Sequence, residues 1–299
     1  MDFQHYRDED YGEVCAFLLA LNAADRRHIN WNWARFEWMI EHPLFDRNSR
    51  SAIGLWRDGR RVVGAAIYDH YFGEAFCAAL PAYEALLPEI LNYAARELSD
   101  EAGLAVAFCD ESEREIEAAA ALGFEKTEQH EIVMARGLDG TLPYKLPDAC
   151  SLAEFEPGGE AELRAIQWLF WQGFDHGSDR EAFEKDFRES GAASAKRRVH
   201  FDPRLSLAAR APDGELAAYV CLWFDPRSDY AYLEPLCTIP RQRGRGLARA
   251  LVFEGLNRAY ALGARRAYVI SDMVFYEKLG FEKEWVYTFY RKRPKGEKA

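Results

Sequence analysis

Residues 236–263 read LCTIPRQRGRGLARALVFEGLNRAYALG, and the character of the chain changes twice within them. Leu236 to Ile239 is a short apolar run that Pro240 ends. A turn of alternating arginine and glycine follows. Leu247, Leu251, Gly255, Leu256 and Ala259 then fall on one face of a helix, and Gly263 stands where a C-terminal cap belongs. The stretch reads as strand, glycine turn, helix. The first N–H groups of a helix lack internal partners and its dipole favours negative charge there. Gly244 and Gly246 remove side chains that would keep an anion from the backbone, and Arg241, Arg243 and Arg245 add positive charge. A phosphate or pyrophosphate suits such a turn; the alternative is an ordinary strand-to-helix turn with solvated arginines. There is no GKS or GKT of a P-loop and no GxGxxG of a dinucleotide fold.

A second motif lies downstream. Phe275 to Glu282 reads FYEKLGFE, and the apolar run Arg266 to Ile270 between the two reads as a strand. Together the motifs resemble those of the GNAT superfamily of N-acetyltransferases, whose acetyl-CoA signature is [Q/R]-x-x-G-x-[G/A]. That signature fits from Arg241 (RQRGRG) and from Arg243 (RGRGLA). The second frame is preferred because Pro240, Arg243, Gly246, Leu247 and Ala248 match the family's spacing. The resemblance covers residues 205–291. It implies that backbone N–H groups of Arg243, Gly244, Arg245, Gly246, Leu247 and Ala248 hold the pyrophosphate of acetyl-CoA, with the pantetheine arm along Cys237, Thr238 and Ile239. It also implies that Tyr276 is the acid that protonates the departing thiolate. Where the family commonly has an asparagine before this tyrosine the chain has SDMVFY, so Ser271 or Asp272 takes over its hydrogen bonds to the cofactor.

The 299 residues carry 49% hydrophobic and 29% charged side chains, the balance of a soluble globular protein of one large domain or two ordinary ones. No apolar run is long enough for a membrane span, and the acidic start MDFQHYRDED is unlike a signal peptide. The six cysteines are scattered without a CxxC pair, as reduced residues of a cytoplasmic protein, with no zinc or other metal site. A formal charge of -11 argues against nucleic-acid and anionic-membrane partners. Residues 1–140 carry 26 acids and 13 bases, and residues 141–299 carry 23 acids and 25 bases, so the half with the anion-binding turn is the one that is not acidic.

Element order repeats along the chain. Helical spacing over Asp8–Leu21 and in HINWNWARFEWMIEHP is followed by a hairpin turning at Asp58-Gly59, a strand Glu74–Leu80, and a helix Tyr83–Leu98. A strand Leu104–Cys109, a helix Glu111–Leu122 and a strand Glu131–Ala135 complete that half. The same order returns after a linker, GLDGTLPYKLPD, at residues 137–148. Asp58-Gly59 maps to Asp213-Gly214 and Leu122 through Lys126 to Leu279 through Lys283 at nearly one offset. The expected fold is therefore α/β (α+β): two tandem GNAT-like domains, residues 1–140 and 141–299, each a mixed, mostly antiparallel sheet flanked by helices. The first copy is degenerate, because LPAYEALLPEIL (Leu80–Leu91) has no glycine and Ala119 stands where the motif has tyrosine. Trp31, Trp33, Trp38 and His28 read either as core or as an aromatic pocket.

The expected activity is acetyl transfer from acetyl-CoA to a primary amine of a small, cationic acceptor by direct attack. The alternative is a non-catalytic acyl-CoA-binding sensor or interaction module. Glu234, on an apolar strand just before the pantetheine segment, is the candidate base, with Asp175, His176 or a water chain as substitutes. Trp168–Lys185 reads WLFWQGFDHGSDREAFEK, and Trp171, Asp175 and His176 are the candidate acceptor binders there; the plain alternative is an Asp–Gly turn with a surface histidine. Cys237 is either core or a covalent acetyl acceptor.

Overall fold

A computed structural model of the chain describes residues 1–41, 45, 47–153, 160–191 and 201–294. They form two compact units, one of Met1–Met134 with Ile270–Met273 and Lys283–Ala299, the other of Ala135–Val269 with Val274–Glu282.

The first unit runs β1 (Asp2–His5), α1 (Tyr11–Ala24), α2 (Trp33–Glu41), β2 (Gly54–Asp58), β3 (Arg61–Asp69), β4 (Tyr71–Ala79), α3 (Leu87–Glu97), β5 (Leu104–Cys109), α4 (Glu113–Ala121) and β6 (Glu125–Gly137). Asn32 starts α2, its side-chain oxygen accepting from the N–H groups of Ala34 and Arg35 at 3.0 Å each. Pro43, where the sequence HINWNWARFEWMIEHP is expected to end this helix, lies outside the described residues. Trp31 and Trp33 are core, at 4% and 1% exposure, and the Trp31 ring stacks on Phe76 at 3.7 Å.

The second unit runs β7 (Ser151–Ala153), α5 (Glu160–Gly173), α6 (Arg180–Asp186), β8 (Ser206–Arg210), β9 (Leu216–Phe224), β10 (Tyr230–Thr238), α7 (Leu247–Leu262), β11 (Arg266–Ile270) and α8 (Val274–Glu277). Its strands lie in the order β11-β10-β9-β8-β7, antiparallel except for the β10–β11 pair. Helix α7 packs so closely on β9 that a Cβ on Gly255 would collide with Leu222. On the other face of β9, Phe170 of α5 meets Tyr219 edge-on at 5.0 Å. The linker is anchored within this unit, Leu142 exchanging both backbone bonds with the Asn257 amide at 2.7 and 2.9 Å.

The last strand, β12 (Glu282–Lys292), joins the first unit. It pairs antiparallel with β5 from Tyr287↔Cys109 to Lys292↔Leu104, extending that sheet to β1-β2-β3-β4-β5-β12 with β6 beyond. The compact units thus differ from a cut at residue 140, since the final strand groups with the first unit although Val274–Glu282 groups with the second.

The repeat is visible bond by bond. Leu80 N–H donates to Val63 O at 2.8 Å and Ile239 N–H to Ala217 O at 3.0 Å, each just before a proline. At the end of α4, Leu122 and Phe124 donate to Ala119 O at 3.0 and 3.1 Å; at the end of α8, Leu279 and Phe281 donate to Tyr276 O, both at 3.0 Å. Gly123 and Gly280 occupy the left-handed region at φ 84° and 80°, where side chains are disfavoured. No helix of the described residues is long and apolar enough to cross a membrane.

Candidate active site

The site in the second unit begins where two strands part. β10 pairs with β11 only at Tyr230↔Arg266, Ala231↔Ala267 and Tyr232↔Tyr268. Beyond Tyr232 a bulge follows, with three steps from Leu233 to Leu236 set against two from Leu222 to Val220 on β9. Leu233 and the run Leu236 to Thr238 therefore have a β9 partner on one side and, among the described residues, no β11 partner on the other. That leaves main-chain groups along a slot for an extended ligand.

Glu234 sits in the bulge, half-buried. Its Oε2 accepts from the Tyr232 hydroxyl at 2.6 Å, and its main-chain oxygen accepts from Trp223 Nε1 at 2.6 Å. Tyr276, on the one-turn helix α8, is 6% exposed. Burial pushes its hydroxyl well above the ordinary tyrosine range, and the negative charge of Glu234 pushes it in the same direction. The two candidate catalytic groups are thus within electrostatic reach of each other. Cys237 is 5% exposed, and burial raises its thiol to about 12 against a smaller opposing effect of Arg243. A Cβ on Gly173 would come within 2.8 Å of Cys237, so the C-terminal end of α5 lies directly on this strand.

Past Thr238 the chain turns through Pro240–Gln242 and reaches α7. Gly244 and Gly246 have φ of 76° and 88°, and nothing lies within 4 Å of a Cβ built on either. Gly246 caps α7 without a side-chain bond, and the first turn of the helix holds no acid. Open space therefore faces the end of the helix that attracts anions, which suits a pyrophosphate. The three arginines of the turn are engaged by the protein. Arg241 pairs with Glu215, and with Asp213 at 3.4 Å. Arg245 donates to the Gln242 side chain. Arg243 donates to Thr238 O at 3.1 Å, to Gly173 O at 3.0 Å and to Asp175 Oδ1 at 2.9 Å. Its side chain thereby joins the strand end, the turn and the C-terminus of α5.

On the acceptor side, Asp175 occupies the left-handed region at φ 62° and lends its carboxylate to Arg243. His176 is exposed and closes the helix end, its N–H donating to Trp171 O at 2.9 Å with the two rings 5.2 Å apart. Trp171 Nε1 is buried without a partner among the described residues. Ser271 lies in the short segment that belongs to the first unit; its N–H donates to Ile132 O at 2.8 Å and its Oγ accepts from Met273 N at 3.1 Å. Two residues at this site are absent from the sequence reading. Tyr232 is two positions before Glu234 on a strand, so the two-residue period signals it. Trp223 becomes visible only when β9 is paired with β10.

Residues 162–281 match the model of the acetyltransferase (GNAT) family. Over 112 residues the chain is 31% identical to the uncharacterized N-acetyltransferase YhbS of Escherichia coli strain K12, an alignment that covers 35% of this chain and 60% of that protein. The chain therefore spans about 60% of the length of the curated relatives it matches. A GCN5-related N-acetyltransferase from Sphaerobacter thermophilus superposes over 98% of this chain and 96% of its own, with a TM-score of 0.60 and 18% identity. A tandem GNAT protein from the clavulanic acid biosynthesis pathway does so over 98% of both chains, with the same TM-score and identity. At that identity the likeness is one of fold, which is that of a tandem GNAT protein.

Proposed function

We propose that this chain, whose residues 162–281 match the GNAT acetyltransferase family, belongs to that family and transfers the acetyl group of acetyl-CoA to a primary amine of a small cationic acceptor. The observation that carries this reading is the parting of β10 from β11 after Tyr232, with Glu234 at the parting and Tyr276 within its field. Main-chain groups of Cys237, Thr238 and Ile239 would hold the pantetheine arm, and N–H groups from Arg243 to Ala248 the pyrophosphate. Ser271 is a further cofactor contact in this proposal. When bound, acetyl-CoA supplies an activated thioester.

Glu234 accepts the proton that the amine must lose, and Tyr276 delivers its hydroxyl proton to the departing sulfur. A phenol held protonated by burial and by a neighbouring carboxylate is suited to donating and unsuited to acting as a base. Trp171 and His176 are proposed on the acceptor side, with Asp175 bracing them through Arg243. Residues 1–140 are proposed as a degenerate copy, with Ala119 in the place of Tyr276 and no glycine from Leu80 to Leu91; their excess of acids favours a cationic acceptor.

The test is to incubate the protein with acetyl-CoA and a panel of small primary amines while following release of free thiol. The expected result is thiol release that depends on the amine. Binding of acetyl-CoA by calorimetry with no release for any amine would turn the reading to a non-catalytic acyl-CoA binder.

A further inference from the structure

Glu234 occupies a place where regular strand pairing does not hold it. The bulge between Leu233 and Leu236 takes it out of the β9 register, and β11 stops pairing two residues earlier. A glutamate so placed has several rotamers, and fixing one costs conformational entropy. Yet its side chain and main chain are each held by an aromatic donor, Tyr232 Oη to Oε2 and Trp223 Nε1 to the carbonyl, both at 2.6 Å. Both donors are 2% exposed, and they stand directly opposite one another in the β9–β10 register. Two large buried side chains thus meet one residue at the point where the sheet loosens.

We infer that Tyr232 and Trp223 are positioning residues of the acyl-transfer site, Tyr232 fixing the Glu234 carboxylate and Trp223 fixing the main chain from which it springs. The inference rests on the reading of Glu234 as the base. The chemistry of the donors supports it. A lysine or arginine would hold the carboxylate as an ion pair and lower its basicity strongly, whereas a neutral hydroxyl orients it with a smaller effect on its basicity. Tyr276 on α8 lies within electrostatic reach of Glu234, beside Tyr232 on its own strand and Trp223 on β9.

The experiment uses the full chain labelled with [5-¹³C]glutamate, with the Glu234 carboxyl resonance assigned by its loss in Glu234→Gln and followed through a pH titration. A hydrogen bond to the charged form favours that form, so removing the donor makes the carboxyl bind its proton at higher pH. Tyr232→Phe keeps the ring and is expected to move the Glu234 titration upward by about one pH unit. It should also move the acid limb of the pH–turnover profile upward, with acetyl-CoA and an amine from the panel as substrates. Should Tyr232→Phe fail to fold, Tyr232→3-fluorotyrosine, whose more acidic hydroxyl donates more strongly, is expected to move the titration downward. An unmoved titration in the folded variant overturns the inference. A moved titration combined with full turnover in Glu234→Gln overturns the base assignment instead, so the two failures are distinct.

Discussion

Tyr276 and Glu234 oppose each other at the scale of single residues. Burial favours the neutral form of Tyr276, and the charge on Glu234 raises the cost of ionising it further. The phenol therefore keeps its proton at neutral pH, as an acid must. We predict that Tyr276→Phe lowers turnover by about 10²–10⁴-fold with acetyl-CoA affinity nearly unchanged, measured by thiol release and calorimetry; unaltered turnover would remove the assignment. Cys237 stands differently. With its thiol pushed up to about 12, it is protonated at neutral pH, which disfavours covalent acetyl transfer through it. The candidacy of Tyr276 came from the resemblance of FYEKLGFE to a family motif, and that of Glu234 from its place on an apolar strand just before Cys237. Tyr232 was legible in principle from the same strand period. Trp223 was not, because its bond to Glu234 depends on a register that spans 11 residues and a bulge.

The glycine turn and α7 form the element on which cofactor binding depends. Arg243 could be read from sequence as a charge for the phosphates. Its guanidinium instead ties Thr238, Gly173 and Asp175 together, so its main effect is to set the shape of the turn. What faces the open space is backbone, at the positive end of a 16-residue helix. Gly246→Glu would force a side chain into φ 88° and place a negative charge where an anion is to lie. We expect that variant to lose acetyl-CoA binding in calorimetry while keeping a cooperative melting transition. Retained binding would show that the pyrophosphate does not sit at this turn. The helix and its caps were readable from Leu247 to Gly263. The engagement of Asp175 by Arg243 was not, since the two are 68 residues apart and only the folded unit brings them together.

At the scale of the molecule, the duplication left marks that a sequence can carry, because turn glycines recur at nearly one offset and the turns at Gly123 and Gly280 keep the same backbone bonds. The destination of the last strand left none. β12 finds β5 across the chain, and the bond from Thr288 Oγ1 to Asp110 Oδ1 at 2.7 Å joins residues 178 apart. Residues 141–299 expressed alone would carry β12, with Tyr287 and Phe289 each only 1% exposed in the intact chain, away from the strand it pairs with. We predict that this fragment is poorly soluble or inactive, although it contains each proposed catalytic residue; a soluble fragment with full turnover would overturn this. The same strand sets an order of events on the ribosome. Residues 1–134 emerge first, yet their sheet lacks its sixth strand until the final residues have been translated, a delay on the order of ten to thirty seconds at ordinary elongation rates. Throughout that interval the nascent chain presents an open edge at β5, so a sheet whose other strands are already made waits on β12 for its completion.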